Sequence, residues 1–437
     1  MKRSLVVTAA VAVAALVVAA RAWSQEKPAY TPQEYNAYTA CANDKNAQTR
    51  AKCLEDFVAK FPESTLLPYV YRLQYLTQYE VKNFAKTVEY ADKLLSLGDK
   101  LEFGSKLEAL VARAQAFYLG QNLPALTAPQ QLNKTRQAAQ EGLKVVAQWQ
   151  KPEQITEQQY EQQKRSFNIL FNSIDGVAAL ALKDYKGAVE SFKVALAIDA
   201  GDALNNYRIG VSYLQMDPPQ PMDGFWALAR SVVLKIPSES QVREYIRRQM
   251  LRYQGTLCEK EIEAQVNELL TLAAASSERP ANYTIPSAAD LDAIRQAPGE
   301  WLATLKTGGE PAKKTWLALC GLEFPEIGGK VIEVASGNDS VVLRIYTGAD
   351  EKEVEAATTP NMELHVVGQP RAANFQKDNY LRFKGTLAGY SPDPFMVKWD
   401  KVEVFAEDLP EEKAQAPAKA PAKKAPAKRP AKRPPPR

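Results

Sequence analysis

Between Ile169 and Pro237 the chain repeats a spacing of small and large side chains that closely packed antiparallel helices require. Gly176, Ala188 and Ala195 are small, and Tyr185 and Phe192 are large. Small residues let two helices approach, and the large ones fill the space between their turns. Asp175-Gly176 and Ala179 return as Ile209-Gly210 and Tyr213, 34 residues later in each case. A fixed period of that length makes each helix pair a unit that must stack on its neighbours to bury its apolar face.

These residues and their spacing resemble the tetratricopeptide repeat family. The resemblance implies an α-solenoid of helix hairpins that presents surfaces to partners and carries no chemistry of its own. Flanking segments extend it. Phe61-Pro62 closes one helix, and Leu66, Tyr69, Leu73 and Leu76 follow at helical spacing. Asn83 to Leu94 reads as a second helix of the same repeat, with three extra residues in the turn before it. Leu107, Leu110, Val111, Ala114 and Phe117, then Ala138, Leu143, Val146 and Trp149, suggest a further pair. In this family a partner lies against the first helix of each pair. The corresponding positions are Leu170, Ser173, Val177 and Leu180, then Leu204, Tyr207, Val211 and Leu214. Members that grip a C-terminal carboxylate use Lys, Asn and Arg there. Apolar residues fit an apolar helix or an extended peptide instead, or a neighbouring helix of the chain itself.

The first 22 residues read as a secretory signal. Lys2 and Arg3 precede an apolar run from Leu5 to Ala20, and Ala20-Arg21-Ala22 is a small-x-small cleavage site. The run is short for a membrane span, so the mature chain is expected to be secreted or periplasmic, with no transmembrane segment. Four cysteines in such a compartment can form two disulfides in three connectivities. Asn43 to Asn46 reads as a helix turn between Cys41 and Cys53, so a bridge across that hairpin is sterically natural and leaves Cys258–Cys320 as the second. The spacing does not suit zinc, which favours close cysteine pairs.

The net charge of +4 conceals an asymmetry. Nine Lys or Arg and no acid lie between Lys413 and Arg437, and three more basic residues lie in 1–22, which leaves −8 for residues 23–412. An acidic body argues against a globular nucleic-acid-binding surface. The Ala/Pro/Lys-rich segment 407–437 has too few large apolar side chains to offset the entropy of ordering, and is expected to be a disordered tail. Its charge makes it the part that would contact an anionic polymer.

After Pro280 the pattern changes. Ser287 to Asp290 caps a short helix, and 281–322 reads as a helical or irregular linker. Strands are expected at Lys330–Val334, Ser340–Tyr346, Glu363–Val367, Tyr380–Leu387 and Phe395–Val404. A Gly337-Asn338-Asp339 turn joins the first two, and a helical insertion falls near Glu351–Ala357. In the last strand Phe395, Val397 and Trp399 share a face that Val402 and Val404 leave, which a bulge near Asp400-Lys401 would explain. The terminal pattern Gly385-Thr386-Leu387, Tyr390, Pro394-Phe395, Trp399 and Val402-Glu403-Val404 resembles the OB-fold group related to anticodon-binding domains. It spans roughly 80 residues. A small sandwich or other β-roll is the alternative.

The expected organisation is therefore α+β and multidomain: signal 1–22, helical solenoid 23–280, linker 281–322, small β-barrel 323–406 and tail 407–437. The chain has one histidine, His365, and no Gly-x-Ser-x-Gly elbow, phosphate loop or Gly-x-Gly-x-x-Gly fingerprint. No cofactor, metal or catalytic residue is expected. The preferred function is an exported interaction scaffold of the cell envelope with a protein or peptide partner. Its rivals are a β-domain that binds oligosaccharide or nucleic acid through Arg344, Tyr346, Arg382 and Lys384, and an enzyme of a type without a recognisable motif.

Overall fold

Antiparallel helix hairpins occupy the first two-thirds of the chain and a closed barrel follows, in a computed structural model that describes residues 30–98, 101–296, 300–336 and 340–411. The signal segment, the Gly337–Asp339 turn and the basic tail from residue 412 lie outside the described residues. The chain divides into two units, Met1–Ala200 and Gly201–Arg437.

The first unit holds four hairpins of the tetratricopeptide kind. They are α1 (Pro32–Asn43) with α2 (Ala47–Lys60), α3 (Leu67–Glu80) with α4 (Phe84–Leu95), and α5 (Phe103–Leu119) with α7 (Pro129–Gln148), the single turn α6 (Pro124–Thr127) intervening. The fourth joins α8 (Glu157–Ala181) to α9 (Tyr185–Ile198). Local chemistry starts these helices. Thr31 with Glu34 and Thr156 with Gln159 form reciprocal capping boxes, and the Asn46, Asn83 and Asp184 side chains accept amides of the turns that follow them. Lys82 and Lys183 take left-handed backbone just before the caps Asn83 and Asp184, reversing the chain within three residues.

The second unit opens with α10 (Ala203–Gln215) and α11 (Pro221–Val233), then α12 (Glu239–Gln254) and α13 (Glu259–Ala275). Phe225, Leu228, Ile246, Met250, Ile262, Val266 and Leu269 form their common core. Helices α14 (Ala288–Gln296), α15 (Trp301–Thr307) and α16 (Gly309–Leu319) come next. Leu291, Leu305, Trp316 and Leu317 of this segment belong to one hydrophobic core with the barrel.

Strands β1 (Glu323–Ser336), β2 (Ser340–Tyr346), β3 (Met362–Val367), β4 (Tyr380–Pro392) and β5 (Phe395–Val404) close in the order β1-β2-β3-β5-β4. All neighbours are antiparallel except β3 and β5. The short helix α17 (Glu351–Ala356) lies between β2 and β3. Lys401 has a positive φ, and β5 has one more residue than its partner needs at this point: Thr386 pairs with Asp400 but Lys384 with Glu403. That bulge turns Val402 and Val404 inward beside Val397 and Trp399, and all four are buried. Closure leaves no sheet edge. Strand β1 begins seven residues before the expected Lys330. Gly328 and Gly329 hid it: they weaken a strand pattern, yet a Cβ on Gly329 would lie 2.7 Å from the Ile345 side chain.

Candidate functional site

The glycines of the repeat act by absence of a side chain. A Cβ on Gly176 of α8 would sit 2.7 Å from the Phe192 ring of α9. In the second unit one on Gly210 of α10 would meet Leu228 of α11 at 2.7 Å, and one on Gly224 would meet Leu214 at the same distance. Each hairpin thus closes to backbone contact, with its second helix turned inward and its first helix carrying the candidate partner positions.

Those positions are less open than their family counterparts imply. Leu170 of α8 is half-buried, as is Leu180, while Ser173 and Val177 are buried. In the second unit Leu204, Tyr207, Val211 and Leu214 are all half-buried and pack on the α10–α13 core. What each shows to solvent is an edge.

Aromatic side chains that the sequence reading passed over are more exposed. Tyr35 of α1 is 47% exposed, Tyr69 of α3 58% and Phe103 of α5 39%. Tyr30 stacks on Tyr35 with ring centroids 5.6 Å apart. Tyr38, half-buried against Phe57, has its phenol pushed up by desolvation, and it lies near enough to Arg72, Tyr69 and Tyr35 to feel their charges. The Arg72 guanidinium donates twice to Glu108 of α5, at 2.9 and 3.0 Å. Burial alone would lower the Arg72 pKa, and the Glu108 carboxylate outweighs it. Tyr75 behind them is fully buried, and its phenol is pushed far up by desolvation. The 34-residue spacing of Tyr35, Tyr69 and Phe103 was the available signal.

A second ion network locks α7, α8 and α9. Arg136 binds Asp175 at 3.0 Å and Asp184 at 2.6 Å, and the Ser191 hydroxyl donates to Asp175 at 2.6 Å. The Gly187 amide and then Arg136 hold the Asp184 carboxyl below its usual range.

On the barrel, Arg344 and Tyr346 lie on β2 while Arg382 and Lys384 lie on β4, so β1 separates the two pairs. Each is committed to a carboxylate. Arg344 binds Glu333 at 3.0 Å and Glu363 at 3.1 Å. Arg382 reaches Asp408 at 3.0 Å, Glu407 at 3.3 Å and Glu326 at 3.7 Å. Lys384 binds Glu403 at 2.7 Å. The Tyr346 hydroxyl donates to Glu353, which pushes its pKa up to about 12. Residues 323–411 contain sixteen Asp or Glu against nine Lys or Arg. The face is therefore neutralised by its own acids. The depression beside it, about 340 Å³, is lined by Gly328, Tyr380, Arg382 and Asp408 among others.

His365 stands on the outer side of β3 with a ring nitrogen 3.2 Å from Glu363, which Arg344 also holds. Among the described residues no group of three or more His, Cys, Asp or Glu is placed to hold a metal ion. The cysteines pair as Cys41–Cys53 and Cys258–Cys320, with Cα atoms 5.4 and 5.9 Å apart. The second bridge joins the start of α13 to the end of α16. No described helix is long and apolar enough to cross a membrane.

No protein-family model matches the chain, and no curated protein matches it. Among solved structures it is similar to a thermophilic TPR protein of Thermus thermophilus, at 12% identity and TM-score 0.25, over 50% of this chain and 99% of that one. It is also similar to the C-terminal part of a TPR repeat-containing protein from Cytophaga hutchinsonii, at 12% identity and TM-score 0.24, over 56% and 96%. A third is the TPR2AB-domain:pHSP90 complex of yeast Sti1, at 9% identity and TM-score 0.19, over 56% and 98%.

Proposed function

We propose that this chain is an exported, non-catalytic scaffold of the cell envelope, secreted or periplasmic, whose helical hairpins hold a protein or peptide partner. The single observation that carries the reading is the contrast in what the surfaces leave uncommitted. First helices of the hairpins keep large aromatic side chains in solvent, at Tyr35, Tyr69 and Phe103. Water-exposed rings of this size are the anchors that partner surfaces use. The half-exposed edges of Leu170, Leu204, Tyr207, Val211 and Leu214 extend the same kind of surface, while Ser173 and Val177 support it from below. Export is supported by the charged, apolar and small-x-small order of residues 1–22. The two disulfides fit an oxidising compartment.

The rival reading, an oligosaccharide- or nucleic-acid-binding barrel, needs cations free to meet a ligand. Arg344, Arg382 and Lys384 are engaged by five different carboxylates besides Glu326, so contact with an anionic polymer falls to the tail.

Site-specific photocrosslinking in the native host tests this. A photoreactive residue at Tyr69, Leu170 or Tyr207 is expected to trap a polypeptide, and the same residue at Arg344 or Lys384 to trap none. Adducts confined to the barrel positions would overturn it.

A further inference from the structure

Three exposed aromatic side chains recur at one fixed interval. Tyr35, Tyr69 and Phe103 are 34 residues apart in succession, and they are three of the nine large hydrophobic side chains that the described residues leave exposed. Each lies in the first turn of the first helix of its hairpin: fourth in α1, third in α3 and first in α5. Isolated exposed rings are ordinary. Rings repeated at the period of the architecture emerge at the same end of successive equivalent helices, and so form a row. Tyr30 lengthens it by stacking on Tyr35, and Tyr38, close to both Tyr35 and Tyr69, floors the space between them.

We propose that this row is a docking track for a proline-rich polypeptide in the polyproline II conformation. The proposal rests on the scaffold reading and names the chemistry of the partner. Three observations carry it. The first is spacing. Packed neighbouring helices lie roughly 8–10 Å apart, and a polyproline II helix advances roughly 9.3 Å per three-residue turn. One ring per hairpin therefore meets one pyrrolidine per turn. The second is charge. Residues 30–98 contain eight Lys or Arg and eight Asp or Glu, and Arg72 is held by Glu108. Nothing here recruits a strongly charged ligand. The third is hydrogen bonding. Polyproline II leaves every backbone carbonyl without an internal partner, and Tyr30, Tyr35 and Tyr69 bring phenol donors beside their ring faces. A partner helix fits less well, because it presents apolar side chains at i, i+3, i+4 and i+7 and wants a continuous trough, whereas this row alternates with the exposed polar Gln33 and Asn36.

The experiment is a fluorescence-anisotropy titration of the full chain with a labelled twelve-residue oligoproline, an equally long Gly/Ser peptide and a labelled chito-oligosaccharide. Saturable binding of the oligoproline alone is expected. Tyr69→Ala and Tyr35→Ala should each weaken it roughly tenfold, as loss of an aromatic anchor does. Tyr69→Phe should keep most of it, and Val194→Ala, at an exposed residue of α9, should change nothing. Melting curves of all variants should superimpose on the parent, since the side chains removed are exposed. Failure of the oligoproline to bind, binding unaffected by both alanine variants, or binding of the sugar in place of the peptide each overturns the proposal. Photocrosslinking separates the two levels. Polypeptide adducts at Tyr207 in a chain that ignores oligoproline would leave the scaffold standing and remove the track.

Discussion

The helical hairpins and the barrel solve the same two problems in opposite ways. Inside, the hairpins remove atoms: at Gly176, Gly210 and Gly224 a single added carbon would stand 2.7 Å from a neighbouring side chain. The barrel adds atoms. Trp399 is wholly buried, with Trp301, Phe324 and Phe383 meeting it edge-on at 5.2–6.3 Å. Outside, the hairpins leave Tyr35, Tyr69 and Phe103 in water, whereas the barrel matches Arg344, Arg382 and Lys384 to carboxylates of its own. Richness in functional residue types is therefore a poor guide to binding. What matters is how much of it the fold leaves uncommitted.

The filled interior should fail most severely. Trp399→Ala leaves a cavity beneath three aromatic rings, and truncations of this size cost about 3–5 kcal/mol. Denaturant unfolding of the full chain would show it as loss or early melting of the transition that carries the barrel. A cost below about 1 kcal/mol would mean the rings repack freely, and the contrast with the hairpins would be lost. The bridges come next. Loop-closure entropy assigns roughly 4 kcal/mol to Cys258–Cys320, which encloses 62 residues, and roughly 3 kcal/mol to Cys41–Cys53, which encloses 12. Mapping peptides without reductant establishes the pairing first. A Cys53–Cys258 link, or four free thiols in secreted material, would refute it. Serine replacement of each pair then ranks the two losses.

The emptied interior should fail by crowding. Gly176→Leu forces its side chain into the Phe192 ring, and overpacking of this kind costs about 1–3 kcal/mol. Gly176→Ala should cost less, because Phe192 can give by a fraction of an ångström. If leucine is accepted without loss, the close approach of α8 and α9 is not what fixes the glycine.

The sequence made the hairpins legible through that same feature. Gly176, Phe192 and Gly210 report packing at a distance of a few residues, and the period repeats the message. Strand order was not legible, since closure depends on pairings such as Lys330 with Tyr380 that no local pattern encodes. The bulge at Lys401 was, because it reverses the inward face within one strand. For the site the balance inverts. Arg344 looked available because Glu333 and Glu363 stand 11 and 19 residues away in the chain, and only register brings them to it. Tyr35, Tyr69 and Phe103 carried their period openly, yet exposure is a property of the fold, and each looked like part of an ordinary helical stripe.

A smaller effect tests the ion network of the hairpins. Asp184 caps α9 and binds Arg136, so Asp184→Ala should cost about 1 kcal/mol at neutral pH. The folded-state pKa lies below the unfolded value near 3.8. A depressed carboxylate contributes stability that is present above the unfolded value and lost as pH falls through the folded one. The gap between parent and variant should therefore be constant at pH 5–7 and shrink below about pH 4. A gap that persists unchanged in acid would assign the loss to packing.

The smallest expected effect is the most direct probe of the contrast between the surfaces. Replacing Arg344, Arg382 and Lys384 together by alanine removes three positive charges from a face that looks basic in the sequence. Each is already bound to one or more carboxylates, so retention of the chain on a polyanion column should not change. Retention should depend instead on residues 413–437, whose nine positive charges have no acid among them. Their contact with an anionic polymer should arise from counterion release and fall steeply with salt. Deleting them should abolish retention at low salt and leave the melting temperature where it was. If the triple substitution lowers retention while the deletion does not, the ion pairs of the barrel open in solution, and its cations are as free to bind as the rings on the hairpins.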